Sequence, residues 1–236
     1  MRHASPLDPL EPRRLFASVF QGIPGYYEIT GTPGDDQIDI AVDQSAATMT
    51  LDGVTYAGAL HVSVDAGDGN DAVTVNSTGT GSISAAIRAG AGADRITLNT
   101  DGAVWGDAGN DVISLRNSFR GEAYGGSGDD QISLAGNCID CQVDGEDGND
   151  ILWALDNHYA VVLFGGSGND KLYGSPFNDV IYDGPGTDFV FGLAGNDEIH
   201  SRDGELDWIM GGDGTDTLFC DAREGGINSC ELVLPP

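Results

Sequence analysis

The sequence predicts an all-β chain wound as a solenoid, and three observations predict it. A nine-residue unit recurs with aspartate at its sixth position and an aliphatic residue at its eighth. Glycine is 36 of 236 residues, about twice ordinary usage, so turns are frequent. The chain nevertheless remains 40% hydrophobic at a formal net charge of −28, which suits short apolar strands between turns that collect carboxylates, and argues against plain disorder. That charge disfavours nucleic acid and anionic membrane surfaces as partners, since both need basic patches, and favours a polycation or many divalent ions.

In chain order, residues 1–24 read as a disordered leader. Leu15 to Phe20 is too short an apolar run for a signal-peptide core, and no run in the chain approaches the roughly 18 residues of a membrane-spanning helix. The segment Leu10-Glu11-Pro12-Arg13-Arg14-Leu15-Phe16 resembles the LEPR-type sorting motif at the N-termini of some large bacterial surface proteins, with Phe16 departing from its second leucine. Sorting signal and plain leader both stand as readings. Residues 25–64 are expected to form a β-rich cap: Thr48 to Leu51 and Val54 to Tyr56 flank Asp52-Gly53, a strong hairpin signal.

Residues 65–219 carry most of the repeat, which begins earlier with a copy at Gly31. Widely spaced copies place their sixth residues at Asp36, Asp71, Asp94, Asp111, Asp130 and Asp150. From Gly165 the copies run almost without interruption, with Asp170, Asp179, Asp188, Asp197, Asp207 and Asp216 at position six. We place one inserted residue at Ser201. Position eight is aliphatic in all twelve copies, and ten share the central glycine; Phe177 and Glu205 replace it in the others, while Arg202 and Asp203 replace the glycine pair. One edge of the solenoid is expected to carry the unit on every turn, and the opposite edge irregular loops, such as 116–120 and 156–158, until residue 174.

These nonapeptides resemble the repeats-in-toxin, or haemolysin-type calcium-binding, family. The resemblance implies a right-handed parallel β-roll, in which six residues turn and bind Ca²⁺ and three form a strand, and it implies secretion to the cell exterior. The candidate ligands are the twelve aspartates, with loop carbonyls at Gly165, Gly166, Gly168, Gly184, Gly186, Gly195, Gly211, Gly212 and Gly214. Loops containing Phe177 and Glu205 are the doubtful ones.

The chemistry agrees with that resemblance. Glycine at positions one, two and four lets the turn adopt backbone angles closed to other residues. Two nonapeptides make one turn, so equivalent carboxylates stack at about 4.8 Å. Two such charges repel by roughly 3.5 kcal/mol at an effective dielectric near 20. A cation between them reverses the sign. Oxygens facing each other across Ca²⁺ are about 4.6–5.2 Å apart, whereas Mg²⁺ spans only about 4.1 Å.

Cys138 with Cys141, and Cys220 with Cys230, are locally paired; disulfides are expected on export, the second clipping a C-terminal cap over residues 220–236. A zinc site would need all four thiolates together, which an extended solenoid disfavours. His3, His61, His158 and His200 fit no metalloprotease spacing, and neither a nucleophile elbow nor an EF-hand loop occurs. Two function classes follow. One is an exported, calcium-stabilised structural or adhesive module meeting cell-surface or matrix polysaccharide or protein. The alternative is a small secreted polysaccharide-acting enzyme with its site on the irregular edge.

Overall fold

The computed structural model describes residues 18–81 and 83–220, and the backbone of 225–228 and 232–234. Among these residues all regular structure is strand, arranged in two twelve-stranded sheets. From residue 61 onward, strands consecutive in sequence fall in opposite sheets, and those next but one pair in parallel: Lys171–Tyr173 lies between Ile151–Trp153 and Phe189–Phe191. A chain that crosses between two sheets at every turn and advances one strand per circuit is a parallel solenoid. No helix among the described residues is long and apolar enough to cross a membrane.

Winding begins close to the first described residues. Strand β1 (Ser18–Ile23) runs antiparallel to β2 (Tyr26–Thr30), and β2 enters the parallel ladder against β6 (His61–Asp68). Strand β3 (Gln37–Asp43) pairs in parallel with β7 (Ala72–Thr78), while β4 (Thr48–Leu51) and β5 (Val54–Ala57) extend the same sheet as an antiparallel hairpin. The hairpin turn places Asp52 at φ 48° and Gly53 at φ 77°, the left-handed pair of a tight two-residue hairpin turn. The segment read from sequence as a leader thus contains a strand, and Val19 packs against the core. Antiparallel strands at the N-terminal end cover parallel edges that would otherwise template further pairing. The segment 10–16 lies outside the described residues.

The core is a file of inward aliphatic side chains, one row per sheet. Every position-eight residue, from Ile38 to Leu218, is fully buried. The early copies bury a second residue two places on: Ile40, Val75, Leu98, Leu115, Leu134 and Ala154. From Lys171 onward the short strands bury one, as Leu172 and Ile181 do. The interior therefore narrows toward the C-terminal end, and each lost aliphatic forgoes roughly 1.5–3 kcal/mol of burial.

Turns stack as closely as strands. Gly168 sits at φ 139°, and a Cβ there would overlap the carbonyl oxygen of Gly148 one turn below. Only glycine fits a turn that lies directly on its neighbour. The loops of the opposite edge lack the nonapeptide, yet side chains hold them in register. Asn117 Nδ2–H donates to Asn99 Oδ1 (3.0 Å), the Asn137 N–H donates to Asn117 Oδ1 (3.1 Å), and Asn137 Oδ1 meets His158 Nδ1 (3.3 Å). Asparagine amides can donate and accept along a stack, so they replace glycine turns as a way of registering loops of similar length.

Candidate metal centre

Strand pairing brings the position-six aspartates into two columns, one per edge. In the first, each aspartate N–H donates to Oδ1 of the aspartate one turn on: Asp36 to Asp71, then Asp94, Asp111, Asp130, Asp150, Asp170, Asp188 and Asp207, at 2.6–2.9 Å. In the second, Val161 N–H reaches Asp179 Oδ1, Asp179 N–H reaches Asp197, and Asp197 N–H reaches Asp216, at 2.8–3.0 Å. All twelve aspartates are buried. Gly166, Gly168, Gly184, Gly186, Gly195, Gly212 and Gly214 hold positive φ in the loops above them. Gly165 and Gly211, at position one, lie against the second carboxylate oxygen of Asp170 and Asp216, where any side chain would intrude.

That second oxygen tests whether a cation fits. In Asp71, Asp94, Asp111, Asp130, Asp150, Asp170, Asp188 and Asp197, Oδ2 is buried and accepts no hydrogen bond. A carboxylate oxygen removed from water with no partner is costly, and a hard cation is the partner such a donor set fits. Three loops differ. Thr32 N–H donates to Asp36 Oδ2 (2.5 Å), Ser175 N–H to Asp179 Oδ2 (2.5 Å), and Ser201 Oγ–H to Asp207 Oδ2 (2.8 Å). The loops of Phe177 and Glu205, where the repeat departs from its pattern, are thus two in which a serine satisfies the carboxylate. Eight carboxylates present an unpartnered oxygen to an ion; in these three that oxygen already accepts a hydrogen bond.

Burial pushes the columns away from ionisation. Asp71, Asp130, Asp170 and Asp179 rise to about 6, Asp111, Asp188 and Asp197 to about 7, and Asp150 to about 8. Desolvation is the main cause throughout; donated backbone N–H groups oppose it, and neighbouring column charges add to it at Asp71, Asp111, Asp150, Asp188 and Asp197.

Three features escaped the sequence. Position five carries a second ladder: Asn149 N–H donates to Asp129 Oδ1 (2.9 Å), Asn169 N–H to Asn149 Oδ1 (3.0 Å), and Thr187 N–H to Asn169 Oδ1 (3.0 Å). Its signal was available, since ten of twelve copies have Asn, Asp or Thr there. Asp183 occupies position one, where its loop departs from glycine, and its buried carboxylate lies beside Asp188 and Asp207. Burial raises Asp183 to about 8, with Asp207 and Asp188 adding to the rise against the Ser201 hydroxyl. The third is register. Ser201 pairs with Cys220 in the strand ladder, so it continues its strand, and the additional residue lies inside the turn rather than at Ser201.

The cysteine expectation is corrected in part. Cys138 and Cys141 are buried thiols, with no bridge between them. Their S–H groups point to carbonyls, Cys138 to Leu115 (3.5 Å) and Cys141 to Ser118 (3.6 Å), so each is served as a small core side chain. The pairing of Cys220 with Cys230 lies outside the described residues.

Comparison with known proteins bears on the columns directly. The sequence profile of the RTX calcium-binding nonapeptide repeat (4 copies) matches residues 103–116, 142–157, 164–199 and 203–219. Asp36, Asp71, Asp94 and Asp130 lie outside these stretches, yet they stand in the same column. Among curated proteins none matches the chain.

Proposed function

We propose, for a chain that carries the RTX calcium-binding nonapeptide repeat, that it is an exported structural or adhesive module whose roll is held in shape by several Ca²⁺ ions along its two edges. The observation that carries this reading is the set of eight buried carboxylates in the two columns, each with one oxygen accepting an N–H from the preceding turn and the other without a partner. Asp71, Asp94, Asp111, Asp130, Asp150, Asp170, Asp188 and Asp197 would hold the ions, together with Asp216 and the glycine carbonyls of their loops. Bound calcium supplies positive charge between turns that otherwise stack like charge on like charge. We expect sites of roughly 10⁻⁴–10⁻³ M, the range suited to extracellular calcium.

The outer face supports binding by the edges rather than catalysis or sugar stacking. Phe164, Tyr182, His200 and Phe219 stack face to face, with centroids 4.3–4.9 Å apart and planes within 15°. Tyr173 and Phe191 do the same on the other sheet, at 4.9 Å. Rings stacked this way cover each other's faces and offer only edges to solvent. On the opposite edge, Asn99, Asn117, Asn137 and His158 are engaged with one another.

The test is calcium stoichiometry by isothermal calorimetry. Asp130→Asn keeps the acceptor for Asp111 N–H but removes a charge from mid-column, and should lose about one ion per chain. Asp203→Asn, whose carboxylate stands outside both columns and accepts the Gly186 and Glu205 N–H groups, should keep the full number. Equal stoichiometry in the two variants, or no calcium uptake by the wild type, would defeat the reading.

A further inference from the structure

Asp183 is the one place in the contiguous repeats where a carboxylate stands at position one, the position that lies against the loop's own aspartate. We infer that Asp183, Asp188 and Asp207 form a three-carboxylate cation site of a different kind from the repeated ones, and that it takes Ca²⁺ more tightly than any other site in the chain. This rests on the calcium reading above and deepens it.

The geometry is specific. One carboxylate oxygen from each residue lies within 4.8 Å of the other two, and all three side chains are buried. Asp183 and Asp188 come from the same loop; Asp207 comes from the next turn on the same edge, so an ion here would tie two turns together. Asp183 Oδ1 accepts the Gly184 N–H (2.9 Å), and Asp188 Oδ1 accepts the Asp170 N–H (2.7 Å). Their Oδ2 atoms have no partner, in side chains about 1% and 0% exposed. Two unpartnered buried oxygens beside a third carboxylate make a ready donor set for a hard cation.

Composition sets the ranking. A repeated site draws on two position-six carboxylates from successive turns, whereas this cluster offers three. Calcium affinity rises with the number of charged ligands and the rigidity of the site, and strand pairing on both sides fixes these three. Ser201 bears on the same point: at position one of the next turn its hydroxyl donates to Asp207 Oδ2 (2.8 Å), and it can rotate to present a lone pair when a cation takes that oxygen. Access is available, because Asp183 also lines a surface hollow of about 450 Å³ with Tyr182, Pro185, His200, Arg202 and Asp203.

The test is calcium titration of the full chain by calorimetry, with Asp183→Asn and Asp183→Gly. The first keeps the size of the side chain. The second restores the residue found at Gly165, and both are checked for wild-type circular dichroism in saturating calcium. We expect the wild type to show one event at least 10-fold tighter than the rest. Both variants should lose that event and keep the weaker ones. A tight event that survives both substitutions, or a wild type with a single affinity class, overturns the three-carboxylate site and leaves the calcium reading intact. A wild type that takes up no calcium overturns both.

Discussion

In excess chelator at pH 8 the far-UV circular dichroism is expected to lose most of its β signal, and to regain it in millimolar calcium. Two magnitudes lead there. Carboxylates stacked one turn apart repel by roughly 3.5 kcal/mol per neighbouring pair at an effective dielectric near 20, and the long edge stacks nine of them. Against that, a ligand bound only by the native state contributes about 1.4 kcal/mol per site when it is tenfold above its dissociation constant. If each of the eight partnerless carboxylates holds one ion, the total is about 11 kcal/mol, as large as the whole stability of an ordinary domain. A spectrum in chelator that matches the one in calcium would show that burial alone suffices.

Acid should partly replace calcium. Asp71, Asp130, Asp170 and Asp179 are raised to about 6, Asp111, Asp188 and Asp197 to about 7, and Asp150 and Asp183 to about 8, all by burial first. A carboxyl whose folded pKa exceeds its unfolded value binds more protons folded than unfolded. Its contribution is therefore complete below the unfolded value near 4, and is lost as pH rises through the folded one. Across these groups the loss spreads from about pH 4 to about pH 8. In chelator, moving from pH 8 to pH 5.5 should restore part of the far-UV β signal that is lost at pH 8. In saturating calcium the same step should do the opposite, because protons compete with the ion for the same oxygens. A chelated protein that becomes more stable from pH 5.5 to pH 8 would contradict the assignment of these carboxylates as buried and uncompensated.

Much of this was legible in the sequence, because the repeat writes its geometry into fixed positions. Aspartate at six and an aliphatic at eight gave both columns and the first row of the core, including Asp36 and Ile38 in the earliest copy. What stayed hidden lay where a position was read as variable. Leu115 and Leu134 follow Ile113 and Ile132 by two residues, so a strand could have been seen to bury both; a three-residue strand length carried back from the tight copies obscured it. Asp183 does not stand out in the repeat, because its loop aligns by its glycines and a carboxylate at position one reads as ordinary variation. The Asn99, Asn117 and Asn137 stack has no glycine frame and uneven spacing, so only strand register could align it. For the same reason a one-residue insertion near Ser201 could not be positioned from sequence, where any of several residues would serve.

The narrowing of the interior gives the molecule a direction. In a solenoid each turn touches only its neighbours, so order spreads along it as in a one-dimensional chain of coupled units. Coupling is strong where each strand contributes two aliphatics, as with Ile113 and Leu115, and weaker where it contributes one, as with Leu172 or Ile181. Such a chain zips and unzips from one end. The wide turns would act as the seed onto which narrow turns wind as calcium arrives, and the narrow end would unwind first as it leaves. Amide hydrogen exchange followed during slow chelation reads that order: protection should vanish from residues 171–219 before residues 72–134, and simultaneous loss along the whole roll would mean that it moves as a single unit.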